Sequence, residues 1–265
     1  MESMRMEAGE ESVSCGWADG SRESGRKNMK KCGAIILAAG SGKRMKTEIP
    51  KQFLELAGVP LFLHSVRAFS GVVDEIVLVT GEESVSYCRS ILEKEMVGIP
   101  VTVTAGGKER YHSSMNGLKL AKDWEYVMIH DAARACISEA VIRSSLESAV
   151  RHGSGVAAVL AKDTIKAADE NGCVTETLDR GRLRIIQTPQ CFYTDWIVQA
   201  YAAMEAEGDD LSKVTDDAMV LETYGKKPVY LSEGSYENIK VTTPEDLLFA
   251  GAILQKRGAQ QRMSL

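Results

Sequence analysis

The stretch that decides the fold is Ala34–Met45, which reads AIILAAGSGKRM. Its first half, residues 34–38, is continuously apolar, as expected of a parallel β-strand that is buried on both faces. Its second half is a loop of small residues followed by cations. A small-residue loop after the first strand of a doubly wound sheet exposes backbone N–H groups at which an anion can bind. The stretch therefore predicts an α/β fold with an anion site at the end of its first strand.

The rest of the chain continues this alternation of apolar runs and helix-length amphipathic segments. Ser138 is a candidate N-cap, and Pro244, followed by two acidic residues, is typical of a helix start. The alternation predicts a Rossmann-like, mainly parallel sheet with helices on both faces. The predicted further strands are 75–80, 101–104, 126–130 and 156–160, and the predicted helices include 82–95, 109–122 and 138–152.

One segment, at about 160–188, interrupts the alternation. It contains Asn171-Gly172 between two strand-like stretches, which is a strong hairpin signal. The hairpin has little apolar content of its own. Two interpretations stay open at this point: a protruding arm used for dimerisation, or a surface hairpin that lies on its own domain.

Composition excludes several classes of protein. The 265 residues are 44% hydrophobic and 26% charged, with a net charge of −5, so the global charge gives no reason to expect a nucleic acid as partner. No apolar run approaches the roughly 20 residues needed to cross a bilayer. The six cysteines form no C-x-x-C pair, which favours reduced thiols in a cytoplasmic protein.

The first 31 residues differ in composition from the rest. They mix Glu, Ser, Gly and Arg without periodicity, and we expect them to be a disordered extension. Met29 lies directly before the first strand, and we hypothesise that translation starts there. The predicted domain then covers residues 32–258, and residues 259–265 form a short tail.

The loop after the first strand matches neither of two familiar phosphate-binding motifs. A P-loop requires a Gly where Leu37 stands, and the dinucleotide fingerprint requires a third Gly where Met45 stands. What remains is a concentration of cations beside glycines, with Lys43, Arg44 and Lys51 close together in an acidic protein. A solvated basic loop is the plain alternative. The position after a buried strand favours a polyphosphate site.

Three further segments carry candidate chemistry. Asp131 ends an apolar strand within the segment HDAAR, where one carboxylate could hold Mg²⁺ together with phosphate oxygens, or could cap the following helix. Gly106-Gly107 offers free backbone N–H groups at another strand end. Lys240 stands before a capped helix and alone is typical of a surface lysine.

Taken together, these segments resemble the 2-C-methyl-D-erythritol 4-phosphate cytidylyltransferases of the non-mevalonate isoprenoid pathway. The resemblance runs from about residue 33 to 257, and order and spacing agree throughout. The matching segments are AAGSGKRM (38–45), PKQF (50–53), GGKER (106–110), HDAAR (130–134), DTIK (163–166), DR (179–180), TPQ (188–190), TDDA (215–218) and NIKVTTPED (238–246).

The resemblance implies Mg²⁺-assisted in-line transfer of CMP from CTP to 2-C-methyl-D-erythritol 4-phosphate, with release of pyrophosphate. In this family's pattern Arg44 and Lys51 stabilise the transition state, and Arg180 and Lys240 position the attacking phosphate. Asp131 holds Mg²⁺. No side-chain nucleophile is needed, because positioned cations and metal supply the catalysis.

The resemblance also implies a set of substrate-binding residues. Gly107 and Ser113 correspond to the pair that reads cytosine, and Arg134, Thr164 and Thr188 correspond to the site of the alcohol phosphate. In this family the arm crosses to a partner subunit, so that Thr164 would act in trans in a homodimer, as would the catalytic Arg180. The full implied set is Ala38, Ala39, Gly40, Gly42, Lys43, Gly107, Ser113, Ala132, Arg134, Thr164 and Thr188.

Three positions depart from the family's usual pattern: Ala135 replaces a proline, His112 replaces an aspartate, and Asp217 stands where Glu is frequent. The nearest rival interpretation is a ribitol-5-phosphate cytidylyltransferase, against which HDAAR argues. A sugar-1-phosphate uridylyl- or guanylyltransferase usually shows G-x-G-T-R-L instead. A nucleotide-binding regulatory module without turnover is a fourth interpretation.

Overall fold

The computed structural model describes residues 31–40, 50–95, 97–208 and 214–263. Its centre is a seven-stranded sheet in the order β11-β7-β10-β6-β1-β4-β5. Of these strands β10 alone is antiparallel to its neighbours. The strands are β1 (Cys32–Ala38), β4 (Glu75–Thr80), β5 (Val101–Ala105), β6 (Tyr126–Asp131), β7 (Ser154–Leu160), β10 (Arg184–Tyr193) and β11 (Leu231–Glu233).

Two small hairpins stand apart from this sheet. One pairs β2 (Glu55–Leu56) with β3 (Val59–Pro60), and the other pairs β8 (Lys166–Ala168) with β9 (Val174–Thr177). The helices are α1 (Leu61–Ser70), α2 (Val85–Lys94), α3 (Arg110–Leu118), α4 (Glu139–His152), α5 (Thr194–Glu207), α6 (Asp217–Thr223) and α7 (Pro244–Met263).

Strand β1 is apolar throughout because helices cover both of its faces. Ala34 and Ile36 point into one core, shared with α1 and α4. Ile35 points into a second core, which α3 and α5 supply. Both isoleucines are fully buried. The fold class predicted from the alternating pattern, a mainly parallel sheet with helices on both faces, is confirmed.

The helix boundaries differ in detail from the predicted ones. The segment 82–95 divides into a 3-10 turn over Glu82–Ser84 and then α2. Ser138 takes the N-cap position of α4 without making a side-chain cap hydrogen bond. Helix α7 begins at Pro244 as expected and continues to Met263, past residue 258. Its last turns contain Ala, Gln, Lys and Arg, which favour helix, so the helix does not stop where the sequence-based domain boundary was set.

The predicted hairpin is present, and it is shorter than the 160–188 expected. Arg184 already pairs with Leu160 in the central sheet, so the segment outside the sheet runs from 161 to 183. Its turn is built by Asp169, whose Oδ1 accepts from the N–H groups of Asn171 and Cys173. Strand β9 is exposed along its whole length.

Several predictions concern residues outside the described part of the chain. The proposed disordered extension and the proposed start at Met29 fall there, as do Gly42, Lys43 and Arg44 of the first loop. Within the described residues, no helix combines the length and apolarity that a membrane crossing needs.

The packing of β1 on the indole of Trp124 leads to a stability prediction. A Cβ at Gly33 would fall 2.2 Å from Trp124 Cδ2, so Gly33→Ala forces the ring out of the core. Overpacking of this kind costs about 1–3 kcal/mol, and we expect that loss in the free energy of unfolding measured with urea.

Gly71→Ala is the matched control, because the nearest atom to its added Cβ is Glu139 Oε2 at 3.9 Å. We expect no destabilisation there. Equal stability of the two variants would contradict the packing described for β1.

Candidate active site

The predicted site residues converge on the edge of the sheet where the parallel strands end. Leu37, next to the end of β1, lies beside Asp131 at the end of β6. The Ala132 N–H donates to the Leu37 carbonyl at 3.0 Å, which ties the two loops together. Open α/β sheets bind ligands at this edge because the loops after neighbouring strands meet there.

Asp131 forms two ion pairs at this edge. Its Oδ2 accepts from Lys240 Nζ at 2.6 Å, and its Oδ1 accepts from Arg110 Nε at 3.1 Å. Burial alone would raise the pKa of Asp131, but the Arg110 guanidinium and the Lys240 ammonium outweigh it and hold the pKa of this carboxyl well below its usual range. Asp131 is therefore a carboxylate at any physiological pH.

The backbone of Asp131 is held by buried groups of β6 and β10. Its N–H donates to Thr188 Oγ1 at 3.0 Å, and the same oxygen lies 3.0 Å from His130 Nδ1. Burial lowers the pKa of His130 to about 3, so the imidazole is neutral at pH 7. The resemblance implied that Thr188 binds the alcohol phosphate. In this structure Thr188 is buried, and its hydroxyl supports the Asp131 backbone.

The donor set fits a magnesium ion that is shared with substrate phosphates. The described residues contain no cluster of three or more His, Cys, Asp or Glu side chains arranged as metal ligands. Mg²⁺ usually binds through one or two carboxylates, with phosphate oxygens and water completing its shell. Asp131 supplies one such carboxylate, and it does not cap α4, since Ser138 holds that position.

Lys240 lies on a loop that is tied down on both sides. The Asn238 side chain, fully buried, donates from Nδ2 to the Thr188 carbonyl at 2.9 Å. Arg134 Nη1 donates to the Asn238 carbonyl at 2.7 Å, and Lys51 Nζ donates to the Val241 carbonyl at 3.1 Å. The structure therefore brings together three predicted cations that are far apart in the sequence.

The loop after β5 packs directly against the loop after β1. A Cβ at Gly106 would fall 2.8 Å from Ala39 Cβ, and one at Gly107 would fall 2.4 Å from His112 Cβ. The Gly107 N–H donates to Ser113 Oγ at 3.2 Å. Glycines are needed here because the backbone approaches α3 closely, and the approach brings the predicted cytosine-reading pair into contact.

The unusual His112 has a structural use in this loop. Its Nδ1 accepts the N–H of Glu109 at 3.2 Å and so completes a capping box at the start of α3. Among the remaining predicted residues, Ala38 and Ala132 are buried, whereas Gly40 is exposed at the end of the first strand. The two alanines therefore offer backbone groups rather than side-chain surface.

Two predicted residues stand apart from this cluster. Thr164 and Arg180 lie on the segment 161–183 and are exposed, and Arg180 Nη1 donates to the Lys162 carbonyl at 2.9 Å. In the described part of the chain, neither residue forms a hydrogen bond or ion pair with Asp131.

The sequence reasoning missed Arg110 and underrated Asp217. Arg110 Nη1 pairs with Asp217 Oδ2 at 2.7 Å, while its Nε holds Asp131. Asp217 in turn accepts from Tyr201 at 2.6 Å through its other oxygen. Arg110 closes the GGKER segment, and that motif was the signal available for it. The Asp217 partnership joins the start of α6 to the start of α3, which are far apart in the sequence, and leaves no local pattern.

Known proteins with a similar sequence cover nearly the whole described chain. A protein from Clostridium botulinum (strain ATCC 19397 / Type A) is 44% identical over 231 residues, 86% of this chain and 99% of the relative. One from Lachnospira eligens is 45% identical over 224 residues, 84% of this chain and 98% of the relative. Both bear the name 2-C-methyl-D-erythritol 4-phosphate cytidylyltransferase.

Solved structures agree with these relatives. The 4-diphosphocytidyl-2C-methyl-D-erythritol synthase of Anaerococcus prevotii DSM 20548 superposes with a TM-score of 0.74 at 33% identity, covering 85% of this chain and 99% of that one. The 2-C-methyl-D-erythritol 4-phosphate cytidylyltransferase of Thermus thermophilus gives a TM-score of 0.69 at 28% identity, with coverage of 85% and 99%.

The family model described as 2-C-methyl-D-erythritol 4-phosphate cytidylyltransferase matches residues 32–256. With this match and the relatives above, the chain belongs to the 2-C-methyl-D-erythritol 4-phosphate cytidylyltransferase family.

Proposed function

We propose that this chain transfers the cytidylyl group of CTP to the phosphate of 2-C-methyl-D-erythritol 4-phosphate, giving 4-diphosphocytidyl-2-C-methyl-D-erythritol and pyrophosphate. Family membership supports the reaction. The observation that carries it is the Asp131–Lys240 pair at 2.6 Å on the carboxyl edge, where an anionic substrate and a divalent cation can meet.

The reaction is an in-line displacement at the α-phosphorus of CTP. An oxygen of the alcohol phosphate forms the new P–O bond, and the bond from the α-phosphorus to the bridging oxygen of pyrophosphate breaks. The protein supplies position and charge rather than a covalent intermediate. Lys240 is suited to orient the attacking phosphate because its ammonium is part-exposed while its loop is fixed.

Lys51 is suited to stabilise the charge that develops in the transition state. Its Nζ donates to the carbonyl of Val241, the residue that follows Lys240. The Lys51 ammonium is therefore held against the loop that carries Lys240. We propose that Arg44, which belongs to the loop after the first strand, also stabilises the charge of the transition state. Fixed cations of this kind act strongly where water is excluded.

Asp131 would hold the divalent cation, for which we propose Mg²⁺. When bound there, the ion neutralises phosphate oxygens of CTP and so lowers the charge that the attacking phosphate meets. Gly107, on the loop after β5, and Ser113, in α3, would read the cytosine, and Ala39 and Gly40 would face the triphosphate with backbone N–H groups.

We further propose that the functional unit is a homodimer in which the 161–183 arm completes the partner's site. The exposed arm strands bury almost no apolar surface on their own chain. Large apolar side chains are exposed at the arm and its base, namely Leu160, Ile165, Val174 and Ile185. Thr164 and Arg180 would then act in trans on the alcohol phosphate.

The proposed compartment is the cytoplasm. Cys32, Cys88, Cys136 and Cys191 are buried free thiols, which is typical of proteins in a reducing environment. Ribitol 5-phosphate as the acceptor is not favoured, because the relatives at 40–45% identity carry the methylerythritol phosphate name.

The direct test is pyrophosphate release from CTP with each candidate acceptor. We expect release with 2-C-methyl-D-erythritol 4-phosphate and Mg²⁺, and at most slow release with ribitol 5-phosphate or a sugar 1-phosphate. A chain that binds CTP but releases no pyrophosphate with any acceptor would be a binding module, and the proposed reaction would be wrong.

Lys51→Ala should lower kcat by about 100- to 1,000-fold, the usual cost of removing one fixed group that stabilises transition-state charge. The measurement is steady-state pyrophosphate release, with circular dichroism to verify the fold. Lys119→Ala is the control, since Lys119 is an exposed lysine at the end of α3 that contacts Asn116 and lies outside the proposed machinery. A near-normal rate for Lys51→Ala would remove that residue from the mechanism.

A mixing experiment tests the trans arrangement of the arm. Lys51→Ala and Arg180→Ala should each be inactive alone. In a mixed dimer, the subunit with an intact Lys51 receives an intact Arg180 from its partner, so random mixing should restore roughly one quarter of the wild-type sites. Mixed dimers that are verified by native mass spectrometry and stay inactive would show that the arm serves its own chain.

A further inference from the structure

A continuous chain of polar contacts runs from the protein core to the proposed cation site. Tyr201 donates from its hydroxyl to Asp217 Oδ1 at 2.6 Å, and Arg110 Nη1 holds Asp217 Oδ2 at 2.7 Å. Arg110 Nε holds Asp131 Oδ1 at 3.1 Å, and Lys240 Nζ covers Asp131 Oδ2 at 2.6 Å. Helices α5, α6 and α3, strand β6 and the Lys240 loop each contribute one member.

The two ends of this chain differ in exposure. The Asp217 side chain is 0% exposed and that of Lys240 is 40% exposed, while those of Arg110 and Asp131 between them are 29% and 11% exposed. Asp217 therefore has no access to substrate. A fully buried carboxylate is costly unless it is paired, and hydrophobic side chains of similar size would often serve stability as well. Its presence here calls for a reason other than stability.

The geometry gives one reason, which is the rotation of the Asp131 carboxylate. Arg110 uses one nitrogen for each of two carboxylates, so its planar group is fixed at both ends. One oxygen of Asp131 is thereby committed to Arg110. The other oxygen faces Lys240 and is the one that would be available to a divalent cation.

Charge balance gives a second reason. The two carboxylates, Asp131 and Asp217, match the two cations that form ion pairs with them, Arg110 and Lys240. Arg134 adds a further positive charge near Asp131. If a neutral residue replaced Asp217, the Arg110 charge would act on Asp131 alone. The pocket would then carry one extra positive charge. Unit charges a few ångströms apart still interact strongly at an effective dielectric constant of about 20.

We propose that Asp217 is a positioning residue, which acts through Arg110 to keep Asp131 oriented and negative enough to hold a divalent cation. The inference rests on the proposed function, because it deepens the role given there to Asp131. The role predicts two effects of losing the Asp217 charge. The divalent cation should strengthen CTP binding less than in the wild type, and CTP should bind equally well or better when the cation is absent.

The test compares Asp217→Asn with Tyr201→Phe, two nearly isosteric changes at the two ends of one hydrogen bond. The measurement is the Kd for CTP by calorimetry, once with EDTA and once with saturating Mg²⁺, without acceptor. The tightening by Mg²⁺ is the ratio of the Kd in EDTA to the Kd in Mg²⁺. For Asp217→Asn we expect this ratio to fall at least about fivefold, while the Kd in EDTA is equal to or lower than that of the wild type. Tyr201→Phe should change the tightening less than twofold.

General structural damage would weaken CTP binding both in EDTA and in Mg²⁺. This result differs from the expected one, in which binding in EDTA is not weakened. If Asp217→Asn does not fold, Arg110→Lys replaces it, because one ammonium cannot hold both carboxylates as the guanidinium does, and the same loss of tightening is expected. A folded Asp217→Asn or Arg110→Lys protein that keeps the wild-type effect of Mg²⁺ overturns the inference.

The outcome is separate from that of the proposed reaction. Pyrophosphate release tests the transfer, and it would fail for a binding module whose CTP affinity still depends on Asp217. A wild-type chain that binds CTP with no effect of Mg²⁺ would overturn the inference about Asp217, whereas the transfer assay would still decide the reaction.

Discussion

The pairing of one carboxylate, Asp131, with cations from two other segments is the constraint on which the site depends. Asp131 lies at the end of a strand buried on both sides, where an unpaired charge is costly. Arg110 comes from the start of α3 and Lys240 from the loop before α7. To meet the charge, the fold must bring three distant segments to one edge, and buried hydrogen bonds anchor Asp131 and the Lys240 loop there.

Those anchors explain why the surroundings of the site are polar and yet rigid. Asn238, His130 and Thr188 are buried side chains that hold the backbone at Asp131 and Lys240. Since a hydrogen bond is stronger in a buried environment of low dielectric constant than in water, these contacts favour one arrangement of the loops. A pre-arranged set of charges is what in-line transfer between two anionic substrates requires.

Local patterns in the sequence were sufficient for the fold class, and they selected some of the residues that the structure brings to one edge of the sheet. The continuous apolar run of β1 predicted burial on both faces, and the hairpin signal at Asn171-Gly172 was confirmed. Asp131 was a candidate because it ends an apolar strand at the ligand edge, whereas the roles predicted for Lys51 and Lys240 came from the family resemblance. The predicted arm, at about 160–188, extends further than the observed segment 161–183. The difference arises because Arg184 pairs with Leu160, and this pairing joins residues that are distant in sequence.

The sequence by itself determined the alternation of strands and helices, the glycine-rich loops at strand ends and the family to which they belong, because each depends on residues that are neighbours in the chain. Only the tertiary structure decided that Arg110 joins Asp131 to Asp217, and that the Thr188 hydroxyl supports the backbone of Asp131. Those contacts join residues from separate elements, and helix packing and sheet register, which no local pattern encodes, bring them within hydrogen-bonding distance.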